Sequence, residues 1–279
     1  MSLQQSRRLY KVLFIVSCFL LLIVLLFPFY WLLNNALKTG RELTAVPITY
    51  WPKELTLENF KKVFEVAPFW SYFKNSLIVS TVTVFITIVI CTPAAYAISR
   101  YKSKMTLAVA LTFLVFSMFP NTAFVIPIYK TLKTLNLLNS NIGLIITYLT
   151  FTIPSTIWLL YIYFNTVPRD LEEAALVDGA TRLHALFRII LPLSAPGLAS
   201  AAILSFVRCW NEFFYAFVLL TDKVNKTIPV GINDYKQEYR LNWELMAAAS
   251  IVAVIPVVIV IVLFQKRIES GLVSGAVKS

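Results

Sequence analysis

Five stretches of this chain run for more than twenty residues without a single charged side chain, at positions 12–37, 75–99, 105–129, 134–168 and 245–265. A helix rising about 1.5 Å per residue needs roughly 20 apolar residues to cross the hydrocarbon core of a bilayer, so each run is long enough to span one. A sixth apolar region, 196–220, is interrupted by Arg208 and Glu212 and is otherwise almost wholly apolar or aromatic. The patterning predicts an all-α, polytopic transmembrane bundle with six spans at about 12–33, 74–98, 105–126, 142–164, 196–220 and 245–264. Composition agrees: 58% of residues are hydrophobic and 14% charged, against the roughly 25% charged residues of soluble domains. The connections are too short for a folded domain, and the chain 1–279 reads as one helical domain without internal repeats.

Arg7, Arg8 and Lys11 precede the first run as they would a secretory signal, but the run is too long and no small-residue cleavage pattern follows, so it reads as an anchor. Six spans put both termini on one side. Lys and Arg in the connections split twelve to twelve between the two sides, and the dense short clusters (Arg7, Arg8, Lys11 and Arg100, Lys102, Lys104) place the termini in the cytoplasm. Trp31, Trp51, Trp70 and Trp243 then fall near the outer interface. The formal charge of +11 is scattered beside apolar runs, which points to anionic lipid and not to nucleic acid. Cys18, Cys91 and Cys209 all lie in apolar runs without metal-ligand spacing and read as small buried hydrophobes. His184 stands alone in an inner connection. The seven glycines offer no G-x-x-x-x-G-K-[ST] phosphate cradle, so this chain binds no nucleotide through a P-loop. The sequence gives no catalytic, cofactor or metal residues, and the chain reads as no enzyme.

The inner connection, 165–195, is the informative one. After Pro168 come Asp170, Glu172 and Glu173, then alanines and leucines, then Asp178 and Gly179: acids at the positive end of a helix, helix formers, and a glycine stop. A second helical stretch from Thr181 carries Leu183, Leu186, Phe187 and Ile190 at spacings of three and four, before Pro192 and Pro196 break it. By physics alone this is an amphipathic hairpin on the bilayer surface.

Glu173-Ala174-Ala175, three residues, Gly179, nine residues, Ile189, one residue, Leu191-Pro192 resembles the EAA motif of binding-protein-dependent ABC importer permeases, without departure in residue or spacing. Pro120 with Ile126-Pro127-Ile128-Tyr129, and Trp210-Asn211-Glu212-Phe213, resemble the carbohydrate-uptake branch and its maltose-type second permease. The resemblance implies the importer-permease (MetI-like) fold in a bacterial or archaeal inner membrane. It implies a second homologous permease, an ABC ATPase dimer that binds the ATP, and an extracellular solute-binding protein. It also implies that Glu172, Glu173, Ala174, Ala175, Asp178 and Gly179 form a coupling helix that docks in the ATPase.

A charge at bilayer depth costs on the order of 3 kcal/mol and is rare without a role. Twelve residues beyond Pro196, Arg208 stands about 18 Å along a continuous helix, near the midplane, and its i, i+4 spacing from Glu212 puts both on one helical face. Two readings stand: an internal ion pair, or a polar lining of the translocation path shared with Asn121, Trp210 and Asn211, with the indole stacking on a sugar. Ser117 and Thr122 would join them, while Thr81, Thr83, Thr87, Thr152 and Ser155 read as helix–helix contacts. The outer connection 221–244 mixes four acids and four bases with Tyr235 and Tyr239, a surface suited to a transient polar interface, with Asn233, Asp234, Tyr235 and Gln237 contacting the binding protein. The alternatives are an ion-coupled secondary transporter using Arg208 and Glu212, an importer of a non-sugar solute, and a membrane scaffold.

Overall fold

The computed structural model describes residues 3–101, 103–236 and 242–276, with side chains from 10 to 265; Gln237 and Tyr239 lie outside the described residues. The chain forms two compact units, 1–67 with 232–254 and 68–231 with 255–279.

In the first unit, α1 (Leu3–Ala36) is apolar on nearly every side from Val12 to Leu33, and its side chains from Tyr10 to Phe29 are exposed within this chain. Cys18 is exposed with them, unlike the buried Cys91 and Cys209, because no described residue of this unit covers α1 at that level. α2 (Gly40–Leu43) is a single turn capped by the Thr39 hydroxyl. α3 (Glu58–Val66) carries Glu58–Lys62 and Lys61–Glu65 pairs on its wet side and turns Asn59 and Val63, four residues apart, inward. The Asn59 amide donates to the Ala36 and Lys38 carbonyls at 2.8 Å each, closing the end of α1 against α3. Lys38 is only 2% exposed; its ammonium donates to the Thr49 carbonyl and lies 5.5 Å from the Trp31 ring, so the buried charge is partnered.

The second unit is built on α4 (Phe69–Arg100) and α7 (Asn141–Thr166), which pack along their length. Their contact is laced by hydroxyls, as between Thr87 and Thr152 at 2.9 Å, and α7 meets a later helix through Thr156 and Ser205 at 3.0 Å. Each such bond is worth about 0.6 kcal/mol in a membrane, so they set register more than stability. The third predicted span is not one helix. α5 (Lys104–Met118) stops, a 3₁₀ turn runs through Asn121–Phe124, and α6 (Val125–Thr134) departs at 90°. Pro120 forces its predecessor Phe119 into extended backbone (φ −66°, ψ 139°), which no helix continues through.

After α7 come α8 (Asp170–Val177), α9 (Arg182–Ala185), a π turn at Leu186–Ile190, α10 (Leu191–Leu193) and α11 (Ala195–Trp210). The prolines predicted to break this stretch sit instead in the first turns of α10 and α11, where the missing N–H is not needed. The break falls at Ser194, with a 76° bend. The fifth span is also corrected: α11 ends at Trp210, and α12 (Phe214–Leu219) begins after an irregular Asn211–Phe213. α13 (Ile228–Gly231) precedes α14 (Trp243–Ala276), within which the division between units falls. Among the described residues four helices are long and apolar enough to cross a membrane, and six segments are if each bent pair is one span.

α11 approaches α7 at Gly197, where a Cβ would sit 2.5 Å from the Tyr163 ring. Gly197→Val should therefore cost about 1–3 kcal/mol through overpacking, lowering the melting temperature of the detergent-solubilised protein, and adding Tyr163→Ala should restore part of the loss. Equal melting of Gly197→Val and wild type would disprove the close approach.

Candidate functional site

α8 begins with Asp170, Glu172 and Glu173 over its free N–H groups and ends in a Schellman turn: Gly179 N–H donates to the Leu176 carbonyl at 3.1 Å and Ala180 N–H to that of Ala175 at 2.9 Å. Gly179 has φ +84°, the left-handed conformation only glycine adopts freely, although no atom lies within 4 Å of where its Cβ would be. Backbone conformation, not crowding, requires the glycine.

The helix has two faces. Glu173, Ala174, Val177 and Asp178 point outward, with Val177 87% exposed, and Leu183 and Phe187 continue an apolar strip beside them. Glu172 and Ala175, three residues apart, point inward. Glu172 was expected on the docking surface; it is 4% exposed, and its carboxylate accepts Arg100 Nε at 2.7 Å and the Tyr96 hydroxyl at 2.6 Å, with Arg182 Nη1 at 3.7 Å. Arg100 also donates through Nη1 to the Phe164 carbonyl, at 3.1 Å. Arg169, at the other side of the joint, donates to the last carbonyls of α4, Ser99 (2.8 Å) and Arg100 (3.3 Å). The end of α4, the end of α7 and the helix α8 are thereby tied at one buried ion pair. Composition had flagged Arg100 only as a topogenic charge, and no local signal marked Tyr96.

The second cluster surrounds the two helix breaks. Arg208 and Glu212 do not pair, because α11 ends between them and they no longer share a helical face. Glu212 instead caps α12: its carboxylate accepts Tyr215 N–H at 2.9 Å, Ala216 N–H at 3.1 Å and the Tyr148 hydroxyl at 2.9 Å. Arg208 lies in the last turn of α11, where a cation suits the helix dipole. It stands 4.7 Å over the Phe151 ring, with Nη1 donating to Ser155 Oγ (3.2 Å) and the Phe151 carbonyl (3.4 Å). Ser155 is therefore a partner of Arg208 and not only a helix contact.

Asn121, at the other break, accepts the Tyr215 hydroxyl on its backbone carbonyl at 2.5 Å. A cavity of about 380 Å³ opens here, lined by Asn121, Ser117, Arg208, Phe151 and Tyr215 among others; Thr122 is exposed and does not line it. Trp210 is displaced from its expected role. It is 2% exposed, packed between Phe206 and Phe73, and presents no face to a solute. Asn211 is exposed at the break. Tyr148, Phe151 and Tyr215 carried no signal in the sequence, since they matter only through contacts made across 57 to 94 residues.

On the outer connection Asn233 and Asp234 are half-buried. Tyr235 was expected at a protein interface but is fully buried, its hydroxyl donating to the Val63 carbonyl at 2.6 Å, and burial with the neighbouring Asp234 charge pushes the phenol pKa up. Gln237 lies outside the described residues.

The buried joint makes a sharp prediction. Arg100→Met or Glu172→Gln alone leaves one member of a buried set unpaired and should cost about 3–5 kcal/mol, whereas the double variant should lose much less. Melting temperature and protease susceptibility of the 165–195 segment measure it; additive losses would show that the two side chains act independently.

The binding-protein-dependent transport system inner membrane component family matches residues 92–274. The chain is similar to the sulfoquinovosyl glycerol transport system permease protein SmoH of Agrobacterium fabrum, 39% identical over 263 residues, which cover 94% of this chain and 92% of the relative. It is 38% identical to the trehalose/maltose transport system permease protein MalG of Thermococcus litoralis, over 96% of this chain and 97% of that one. Among solved structures, a chain of a bacterial ABC transporter involved in the import of the acidic polysaccharide alginate superposes with a TM-score of 0.81 at 22% identity, covering 94% of this chain and 97% of that chain, which shows a shared fold. With the family matching residues 92–274, and with these relatives matching nearly end to end, the chain belongs to the binding-protein-dependent transport system inner membrane components, the permeases of ABC importers.

Proposed function

We propose that this chain is one of two homologous permeases in an ATP-driven importer of a carbohydrate or related polyol. An ABC ATPase dimer on the cytoplasmic side would bind the ATP, a solute-binding protein would dock outside, and both termini would be cytoplasmic. The observation that carries the reading is the two-faced α8: its rear is fixed to α4 by Glu172 and Arg100, while Glu173, Ala174, Val177 and Asp178 are left outward and exposed among the described residues. Such a helix couples a partner's motion to the spans, because force on its outer face reaches α4 through a buried, hydrogen-bonded pair. The sugar class rests on relatives named for sulfoquinovosyl glycerol and for trehalose and maltose. Asn121, Arg208, Asn211 and Glu212 surround the path, as broken helices do in other transporters. The ion-coupled alternative needs Arg208 and Glu212 as a linked pair, and each has its own separate partners.

Gly179→Val should strain the turn by about 1 kcal/mol or more, leaving the spans inserted but the outer face of α8 misaligned. The expected result is normal expression with reduced ATPase co-purification and uptake. Ala174→Leu should act likewise from the outer face, whereas Ala175→Leu should destabilise the permease itself, since Ala175 is buried. Wild-type co-purification and uptake in Gly179→Val would remove the coupling assignment. On the other side of the membrane, a photo-crosslinker at Asn233 should capture the binding protein in at least one nucleotide state; failure in all of them would exclude this connection from the docking surface.

A further inference from the structure

The cavity at the two helix breaks has an unusual balance of hydrogen-bonding groups. Its hydroxyls donate to backbone carbonyls: Ser117 to Leu114 (2.7 Å), Thr131 to Pro127 (2.9 Å), Thr147 to Gly143 (2.8 Å), Thr150 to Thr147 (2.6 Å) and Tyr215 to Asn121 (2.5 Å). Their protons are committed, so toward the cavity they offer only lone pairs. The remaining donors are the Asn121 amide and Arg208, whose Nε and Nη2 make no hydrogen bond among the described residues.

The charge is as one-sided as the donors. Of the residues lining the cavity Arg208 alone is charged, and no carboxylate lies within ion-pair distance of it among the described residues. Glu212, the nearest acid in sequence, has its oxygens committed to Tyr148, Tyr215 and Ala216. A volume of about 380 Å³ falls within the roughly 300–1,000 Å³ range of small-molecule sites.

Resting on the reading of this chain as a carbohydrate permease, we propose that this cavity is a subsite for a sugar bearing an acidic group, a carboxylate or sulfonate, held by Arg208. The planar guanidinium meets two anionic oxygens through paired N–H donors, and ring hydroxyls of the sugar donate to the waiting lone pairs of Thr150 and Ser117, the Thr147 hydroxyl being buried behind them. Phe116 and Phe124 supply apolar surface for the C–H face of the ring. A neutral sugar would satisfy the lone pairs but leave the cation unmet.

The test uses the full-length permease in phosphatidylcholine nanodiscs, alone and with its co-purifying subunits, and compares binding of 4-nitrophenyl glucuronide with 4-nitrophenyl glucoside by equilibrium dialysis. The glucuronide should bind at least about tenfold tighter. Arg208→Met should abolish that preference, and Arg208→Lys, which keeps the charge but loses the fork, should retain part of it. Equal wild-type affinities, binding of neither glycoside, or a preference surviving in Arg208→Met would overturn the subsite, and the wild-type ratio decides if Arg208→Met does not fold. Displacement of the glucuronide when phosphatidylglycerol is added would assign the cation to lipid headgroups and also overturn it. ATP-driven uptake by a complex without this preference would refute the acidic subsite and leave the importer reading intact, whereas failure to assemble with any ATPase would refute the importer reading itself.

Discussion

In hydrocarbon no water is available to complete a broken helix, so every interruption of a span must be satisfied from within the protein. This constraint explains where the second unit breaks and what stands at each break. At Phe119–Pro120 the proline has no N–H to orphan, and a 3₁₀ turn carries the chain into α6. At Asn211–Phe213 the Glu212 carboxylate receives the free N–H groups of α12, and Arg208 sits at the carbonyl end of α11. The two breaks are bonded to each other through Tyr215 and Asn121. The same charges thus satisfy the irregular backbone at the end of α11 and the start of α12, and the cavity opens beside it.

The segment between α7 and α11 solves a different problem. A short helix of eight residues, α8, has too few turns to be stable in isolation, so it depends on anchorage. The Glu172–Arg100 pair supplies that anchorage at a site where removing either charge would be expensive, with Tyr96 and Arg182 as further partners of Glu172 and the Phe164 carbonyl as a further partner of Arg100. A charged joint has a geometric advantage over an apolar contact: hydrogen bonds at 2.6 and 2.7 Å fix orientation, whereas greasy surfaces slide. The orientation of α8 on the end of α4 is therefore fixed by the buried pair.

Local signals in the sequence determined a good deal. Uncharged runs of helical length specify spans because insertion reads hydrophobicity segment by segment, and acids followed by alanines and Gly179 specify α8 because its N-terminal charge and its left-handed stop are properties of a few consecutive residues. What the tertiary structure decided is everything that depends on a partner far along the chain. Helical spacing put Arg208 and Glu212 on one face, but a helix end between them gave each a different neighbour, Phe151 and Ser155 for one, Tyr148 and the start of α12 for the other. Glu172 differs from Glu173 only in which side of α8 meets α4, and Trp210 and Tyr235 are buried by residues that sequence order does not place beside them. Polar side chains in an apolar setting take the nearest available partner, and which partner is nearest is settled only when the helices pack.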